Sequence, residues 1–503
     1  MKRRAFLAAA GAAGAAALFG PWSRTARAAT FGAFPAGSEP VELPDGVRAR
    51  RVLEIFLYGG LSCWETLYFV RGYGTPDDPV APSSQYYAFA DANAAATASC
   101  GAVDLARPFA IDALGATVEL GPFAAKLWQR SDVVARMRLV VQRHALAPHE
   151  AAVPQALTGR MVGQPGAAGL GAHVQRARID AGATPDRASP YSYVFATGGV
   201  SSDNVAAAAS SGTHPGAARP LLIKTDSATG FTQLLDRTVL GASRTGHDAL
   251  VAAYADQYTA RLTWPGRGRV RSAHADDAAV AFAIKRNAGA IHGVLPDDLF
   301  AAQTPTVCGR TAIDYPWIGL TAARHLLTHP SEPASYVCVS DNGLVGAVGG
   351  GGYDTHTGNA ADTATNFDNL STALLAIINA PGEADPTKLS LDDTLIILNT
   401  EFGRTPLAQA PGSDGRNHHP DGYVTAFIGG PITSDQRGVY GAIGRDGIAT
   451  SFATPSENRV AALLAMGIYP FAPDGFNVSD VPGVTSELDA ARAVMAKFLG
   501  RTA

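Results

Sequence analysis

Long apolar runs recur along the chain, and each ends at glycine or at polar residues. Because these runs do not alternate with polar positions, they predict strands covered on both faces of a sheet. The predicted strands are Arg51–Tyr58, Val133–Val141, Tyr191–Ala196, Leu221–Ile223, Ser335–Ser340, Thr394–Leu398 and Tyr423–Ile428.

Segments with helical periodicity separate these runs. They are Phe123–Gln129, Ala147–Leu157, Leu170–Arg176, Leu250–Leu262, Ala278–Ala288, Leu320–Leu327, Phe367–Asn379 and Asn458–Met466. Strands that alternate with helices predict an α/β fold with a central, mostly parallel sheet and helices on both faces. Residues 72–118 are rich in Gly, Pro and Ala and predict a loop-rich insertion. We expect residues 29–503 to form a single domain.

The first 28 residues have the pattern of an export signal. Paired arginines, Arg3 and Arg4, precede an apolar run and a small-residue cleavage motif at Ala26–Ala28. This pattern predicts the twin-arginine route and a periplasmic or extracellular location, with the export machinery as a partner. The alternative is an uncleaved anchor, but the run is shorter than the ~20 residues of a spanning helix.

Charge and known motifs narrow the functional classes. A net charge of -4 gives no basis for nucleic-acid binding. The chain lacks the phosphate-binding P-loop, the dinucleotide-binding motif, the nucleophile elbow of α/β-hydrolases and the zincin motif. Its four cysteines contain no C-x-x-C pair. We expect either a disulfide between Cys63 and Cys100 or buried free thiols.

Carboxylates and imidazoles follow several predicted strands, where ligand sites of α/β sheets lie. We expect Asp354, His356, Glu401 and His418 to be ligands of a divalent metal ion (Zn, Mn, Mg or Ca). The remaining candidates are assigned to catalysis or substrate contact; they are His149, Arg404 and His419.

Each of these residues also has a simpler interpretation. Asp354 follows a glycine run and is typical of a turn. Glu401 is also typical of a residue that caps a turn or pairs with Arg404, and Arg404 of a structural salt-bridge arginine. His149 is also typical of the first turn of a helix, and His356 of a surface or capping histidine. The sequence His418-His419-Pro420 is also typical of an exposed turn. Spacing alone leaves these alternatives open.

Several motifs resemble the exported bacterial proteins grouped as domain of unknown function 1501, which are related to the alkaline phosphatase and sulfatase superfamily. The resemblance rests on the twin-arginine signal, Gly59-Gly60 after the first strand, His149–Gly159, Gly352–His356, Glu401–Pro406 and Gly415–Pro420. It extends in order over nearly the whole mature chain, and Glu401–Pro406 is its most specific part.

The resemblance implies an alkaline phosphatase-like fold and a two-metal site that activates a Ser or Thr nucleophile. It implies hydrolysis of phosphate or sulfate esters, with a small anionic ester or a polysaccharide-type substrate. Three positions depart from the family pattern. Ser62 and Asn417 replace aspartates, and Pro148 replaces a serine. The alternative function is therefore a non-catalytic periplasmic binding or envelope-assembly protein.

Overall fold

The computed structural model describes residues 30–73, 100, 106–181, 191–197, 202–212, 219–225, 303–346, 352–410, 412–472 and 475–502, and a few single positions between 246 and 299. The predicted export signal and the predicted helices at Leu250–Leu262 and Ala278–Ala288 therefore lie outside the described residues, apart from single positions of the former helix. Within the described ranges, no helix combines the length and apolarity needed to cross a membrane.

An eight-stranded mixed sheet forms the centre of the fold. In chain order its strands are β1 (Arg51–Leu57), β5 (Met137–Gln142), β6 (Ser192–Thr197), β7 (Leu221–Thr225), β10 (Tyr336–Asp341), β11 (Thr394–Asn399), β14 (Tyr423–Gly429) and β15 (Gly438–Tyr440). Their spatial order is β15-β5-β14-β11-β1-β10-β6-β7. The prediction of an α/β fold is confirmed.

Shorter strands form small accessory sheets beside the main one. They are β2 (Phe69–Val70), β3 (Arg107–Ile111) and β4 (Thr117–Leu120), the hairpin β8 (Thr306–Val307) with β9 (Arg310–Thr311), the hairpin β12 (Gly403–Ala408) with β13 (Arg416–His419), and β16 (Ala442–Ile443) with β17 (Ala449–Ser451). β3 and the first residues of β4 fall within the segment 72–118, which therefore has more regular structure than its composition predicts.

Helices cover both faces of the main sheet. They are α1 (Ala125–Gln129), α2 (Ser131–Ala135), α3 (His149–Thr158), α4 (Leu170–Asp180), α5 (Ser202–Ala209), α6 (Tyr315–Leu327), α7 (Asn359–Ile377), α8 (Pro455–Ala465) and α9 (Glu487–Val494). Leu53 and Ile55 of β1 pack in the core that contains α6 and α7, whereas Val52 and Phe56 pack in the core that contains α3 and α8. This two-sided burial explains why the strands are apolar without alternation.

One strand runs against the rest of the sheet. β14 is antiparallel to both β11 and β5, while the other neighbouring pairs are parallel. The chain leaves the carboxyl end of β11, forms the β12–β13 hairpin and re-enters the sheet from the same end. A parallel strand would need a crossover to the opposite end. The sheet is therefore mixed.

Two further expectations are corrected. The predicted strand Val133–Val141 begins as helix α2, and only Met137–Gln142 forms β5. The pairing of Cys63 with Cys100 is wrong, because Cys100 forms a disulfide with Cys308. Cys63 and Cys338 are buried free thiols. Burial raises the pKa of the Cys63 thiol well above its usual range, so this cysteine is inert.

A buried polar network links three strands of the main sheet to one of the helices. The Glu54 carboxylate of β1 accepts hydrogen bonds from Arg459 (2.7 and 2.8 Å), from the Tyr336 hydroxyl and from Asn399 (2.9 Å). These partners belong to α8, β10 and β11. Because the buried carboxylate has a cationic partner and further hydrogen-bond donors, the free-energy cost of its desolvation is offset. The network thereby links β1 to β10, β11 and α8.

Candidate metal centre

The polar residues singled out in the sequence meet at one edge of the main sheet. His149 is the first residue of α3, which follows β5. Asp354 and His356 lie in the loop between β10 and α7, Glu401 follows β11, and His418 lies on β13. β1, β5, β10 and β11 all point the same way, so their carboxyl ends share this edge.

Three histidines converge on one carboxylate oxygen. The Oδ1 atom of Asp354 lies 3.4 Å from His149 Nε2, 3.2 Å from His356 Nε2 and 3.5 Å from His418 Nε2. The Nε2 atoms of His356 and His418 are 3.1 Å apart. We call these four residues the His3Asp cluster. Its side chains are 13–35% exposed, so the cluster lies at the protein surface but is not fully solvated.

The opposite nitrogen of each imidazole is held by an oxygen atom. Nδ1 of His149 contacts Glu401 Oε1 at 2.7 Å, Nδ1 of His418 contacts the Ala147 carbonyl at 2.8 Å, and Nδ1 of His356 contacts Gln409 Oε1 at 2.6 Å. Oxygen atoms of a carbonyl or carboxylate only accept, so each Nδ1 is the donor. In the neutral imidazoles, every Nε2 therefore presents a lone pair to the centre of the cluster.

This arrangement fits a metal ion. Lone pairs of His356 and His418 that face each other across 3.1 Å repel unless a proton or a cation lies between them. His149 Nε2 is buried and has no hydrogen-bond partner. Four ligands bound at about 2.0–2.1 Å in a tetrahedron lie about 3.3–3.4 Å apart. The four distances above, from 3.1 to 3.5 Å, match that spacing for four of the six ligand pairs. The ligand atoms of His149, Asp354 and His418 all lie within 4.8 Å of one another, and His356 is outside this group of three.

Glu401 lies behind the cluster and not in it. Its carboxylate is fully buried and accepts from His149 Nδ1 and from the backbone N–H of Gly59, the latter at 2.8 Å. It was expected to be a ligand, or a residue that caps a turn or pairs with Arg404. In the structure its carboxylate orients the His149 imidazole, as carboxylates commonly do for histidines in metal sites.

Arg404 is fully buried and all of its nitrogens are engaged. It donates to the carbonyl oxygens of Gly59, Gly60 and Arg416 and to Oδ1 of Asp354. It was assigned to catalysis or substrate contact, with a structural salt-bridge role as the simpler interpretation. In this arrangement the guanidinium orients Asp354 and joins the β12–β13 hairpin to the turn after β1.

Gly59 allows this close packing. Its φ of +116° is unfavourable for residues with a side chain, and an added Cβ would lie 2.2 Å from the backbone nitrogen of Asp354. The turn after β1 therefore brings its backbone directly against the loop that carries two cluster residues.

The charges of the cluster depend on one another. Burial lowers the pKa of His149, but the nearby carboxylates of Asp354 and Glu401 outweigh burial and raise it to about 9. Burial raises the pKa of Asp354, but His149, His418 and Arg404 together hold it well below its usual range. In the metal-free protein at neutral pH, a proton on His149 therefore occupies the place that a cation would take.

Aromatic rings form the wall of the cluster. Phe402 is fully buried, with its ring centroid 4.9 Å from that of His149 and 4.5 Å from that of His418. Tyr58 stacks on His149 at 5.3 Å. Apolar walls lower the local dielectric and keep the imidazole planes in place, which strengthens the electrostatic interactions at the centre.

The remaining sequence candidates point elsewhere. Nε2 of His419 contacts the Gly447 carbonyl at 2.7 Å, on the far side of β13 from His418. The Asn417 side chain is exposed and its Oδ1 accepts from the backbone of His418. Ser62 is buried and donates to Glu65. The adjacent histidines diverge, as expected for neighbours on a strand.

Two partners of the cluster were not foreseen from the sequence. They are Gln409, which holds His356, and the carbonyl of Ala147, which holds His418. Gln409 lies 53 residues from His356, and a backbone carbonyl has no sequence signature. His149 was expected to act on substrate, and its helix-start position gave no sign that it faces Asp354.

Comparisons with known proteins give one match. No curated protein and no solved structure shows significant similarity to the chain. Residues 339–462 match the model of a family described as "Protein of unknown function (DUF1501)". This part of the chain, which carries Asp354, His356, Glu401 and His418 but not His149, is therefore similar to that family.

Proposed function

We propose that this protein is an exported, metal-dependent hydrolase-like protein that acts on phosphate or sulfate esters through one divalent metal ion. The ligands are His149, Asp354, His356 and His418. The observation that carries the proposal is the convergence of three Nε2 atoms on Asp354 Oδ1, with every Nδ1 held from behind.

The donor set favours zinc or a neighbouring transition metal over magnesium or calcium. Imidazole nitrogens bind zinc and its neighbours well, whereas Mg²⁺ and Ca²⁺ prefer ligand sets made of oxygen atoms. The cluster offers three nitrogens and one carboxylate oxygen. The resemblance to the superfamily implied two metals. One is proposed here, since Ser62 and Asn417 replace aspartates and their side chains do not reach the cluster.

The surroundings favour an anionic substrate. His149 is the first residue of α3, so the positive end of that helix dipole lies beside the cluster. The Arg404 guanidinium offsets the charge of Asp354. A divalent ion in the cluster would then leave the site positive overall, and it would polarise the ester oxygen bound next to it.

Nearby hydroxyl groups are already engaged, which favours water as the nucleophile. Thr355 donates to Asn359 Oδ1, Thr400 contacts the carbonyls of Leu57 and Phe402, and Thr405 donates to the Leu407 carbonyl. Pro148, where the resemblance would place a serine, has no hydroxyl. The residues of the chain would therefore bind and orient the ester, and a metal ion held by the cluster would supply the activated water.

The same observations support a second function. A protein that keeps the fold and the cluster but has lost the nucleophile would bind anions without turnover. We therefore retain a non-catalytic periplasmic binding or envelope-assembly protein as the alternative. The two functions differ in turnover and share the metal ion.

We further propose the alkaline phosphatase-like arrangement of the sheet and export by the twin-arginine route. The paired Arg3-Arg4 motif supports the route. The disulfide between Cys100 and Cys308 supports an oxidising compartment, because such bonds rarely persist in the cytosol.

The test is the metal content of protein purified from its native compartment. We expect about one zinc-like ion per chain in the wild type, and its loss in His418→Ala. His329→Ala is the matched control, because His329 lies on a distant loop where its Nδ1 accepts from Glu332; this variant should keep the metal.

Panels of phosphatase and sulfatase substrates then separate the two functions. Bound metal with turnover supports the hydrolase, and bound metal without turnover supports the binding protein. A wild-type protein that neither contains metal nor takes up added Zn(II) overturns both.

A further inference from the structure

We propose that His356 is the exchangeable ligand of the His3Asp cluster, which leaves its place when an anionic substrate binds, whereas His149, Asp354 and His418 stay in place. This inference rests on the proposed metal site and assigns unequal roles to its ligands. It also answers a chemical difficulty. Four protein ligands close a tetrahedral zinc site, whereas a catalytic site needs an open position.

The first observation is the unequal burial of the histidines. The side chain of His356 is 35% exposed, compared with 13% for His149 and 20% for His418. The ligand atoms of His149, Asp354 and His418 lie within 4.8 Å of one another and form a compact set of three. His356 lies at the rim of this set, on its solvent side.

The second observation is the unequal strength of the outer hydrogen bonds. His149 is held by the fully buried Glu401 carboxylate. His418 is held by the carbonyl of the exposed residue Ala147, which is neutral but belongs to the main chain and cannot rotate away as a side chain can. His356 is held by the neutral amide of Gln409, whose side chain is exposed. A hydrogen bond to a buried charge is stronger than one to an exposed amide, which water readily replaces.

The third observation is that the backbone at His356 is held in place while its side chain is free to rotate. The backbone around His356 is fixed, because Arg416 N–H donates to the Thr355 carbonyl at 2.9 Å and Gly358 N–H donates to Asp414 Oδ1 at 3.0 Å. Rotation of the imidazole about its side-chain bonds therefore suffices to open the site, and the loop need not unfold. Side-chain rotation at an exposed position is fast on the timescale of turnover.

The test compares Zn(II) affinity, measured by competition with a chelator, in the wild type and four variants. Loss of an orienting partner alone costs 10–100-fold in metal affinity, so we expect the loss of a ligand in His418→Ala to weaken binding by more than about 100-fold. We expect His356→Ala to weaken binding by no more than about tenfold, because His356 is the exchangeable ligand. Gln409→Glu should tighten binding by up to about tenfold, because it gives His356 the type of partner that His149 has. Gln164→Glu adds the same charge at a distant exposed position and should change nothing.

The second readout is the affinity for inorganic phosphate, which is measured from changes in the visible spectrum of the Co(II)-loaded proteins. His356→Ala should bind phosphate about tenfold more tightly than the wild type, because no imidazole has to be displaced. Gln409→Glu should bind it more weakly.

The inference is overturned if His356→Ala loses Zn(II) as severely as His418→Ala, or if Gln409→Glu leaves both affinities unchanged. The exposed position of Gln409 makes this second variant safe for folding. A wild type that binds neither Zn(II) nor Co(II) instead overturns the proposed function, so the two failures are distinguishable.

Discussion

At the scale of single residues, His149 shows how neighbours decide the role of a side chain. It lies between two carboxylates, with Glu401 on Nδ1 and Asp354 near Nε2. The same imidazole at the start of an isolated helix would be an ordinary exposed histidine. Here the carboxylates stabilise its charged form and raise its pKa to about 9, so that a proton competes with any cation for Nε2.

This competition predicts a pH dependence of metal binding. Below a pKa of about 9, His149 must release its proton before it can bind a cation. Zn(II) affinity should therefore rise about tenfold per unit from pH 7 to 9 and become less steep above 9. Competition with a chelator over this pH range measures the Zn(II) affinity.

Glu401→Gln is the informative variant for this prediction. It keeps the hydrogen-bond acceptor but removes the charge, so the pKa of His149 should fall and the affinity should level off at a lower pH. An affinity that stays constant between pH 7 and 9 in the wild type would contradict the assignment of His149 as a ligand.

At the scale of elements, the site depends on two backbone segments packed in direct contact. Residues 354–358 lie against the start of β13, where Gly415 meets the backbone of His356. A Cβ atom added at Gly415 would lie 1.7 Å from the His356 carbonyl oxygen. Backbone atoms cannot yield as a flexible side chain does, so only glycine permits this contact.

Gly415→Ala should therefore displace the loop that carries Asp354 and His356. We expect a loss of about 2–3 kcal/mol in the free energy of unfolding, by analogy with overpacked cores, together with weaker Zn(II) binding. Urea unfolding and chelator competition measure the two effects. The control is Gly46→Ala, because a Cβ there meets nothing within 4 Å. Equal stability of the two variants would show that the contact is not needed.

At the scale of the whole molecule, the disulfide between Cys100 and Cys308 joins positions 208 residues apart in the chain. Cys100 packs against Phe123 and Ala364, and the latter belongs to α7. Arg310, just beyond the disulfide on β9, forms an ion pair with Asp362 of the same helix. The bond thus fastens a distant segment to the helix that follows the His356 loop.

Removal of this bond should destabilise the protein without altering the His3Asp cluster. We expect the double variant Cys100→Ser/Cys308→Ser to lose about 2–4 kcal/mol in the free energy of unfolding, because its unfolded chain is no longer constrained. Thermal melting with and without reductant measures the loss. Cys63→Ala is the control: reductant should lower its melting temperature by as much as it lowers that of the wild type. A wild type whose melting is unaffected by reductant would contradict the disulfide.

The residues of the chain by themselves determined the class of fold and the types of side chain at the site. Apolar runs predicted β1, β10 and β11 to within one residue of their observed bounds, because burial on both faces favours an apolar residue at every position of a strand. Asp354, His356 and His418 could be named in advance as candidates, because polar groups that follow the strands of an α/β sheet were expected to meet at one edge.

Only the tertiary structure decided how those groups meet. The direction of β14, the approach of His149 to Asp354, the place of Glu401 behind His149 and the pairing of Cys100 with Cys308 all join residues far apart along the chain. Hydropathy and spacing report local burial and geometry, whereas these contacts depend on which strand ends share an edge. Long-range packing settles that choice.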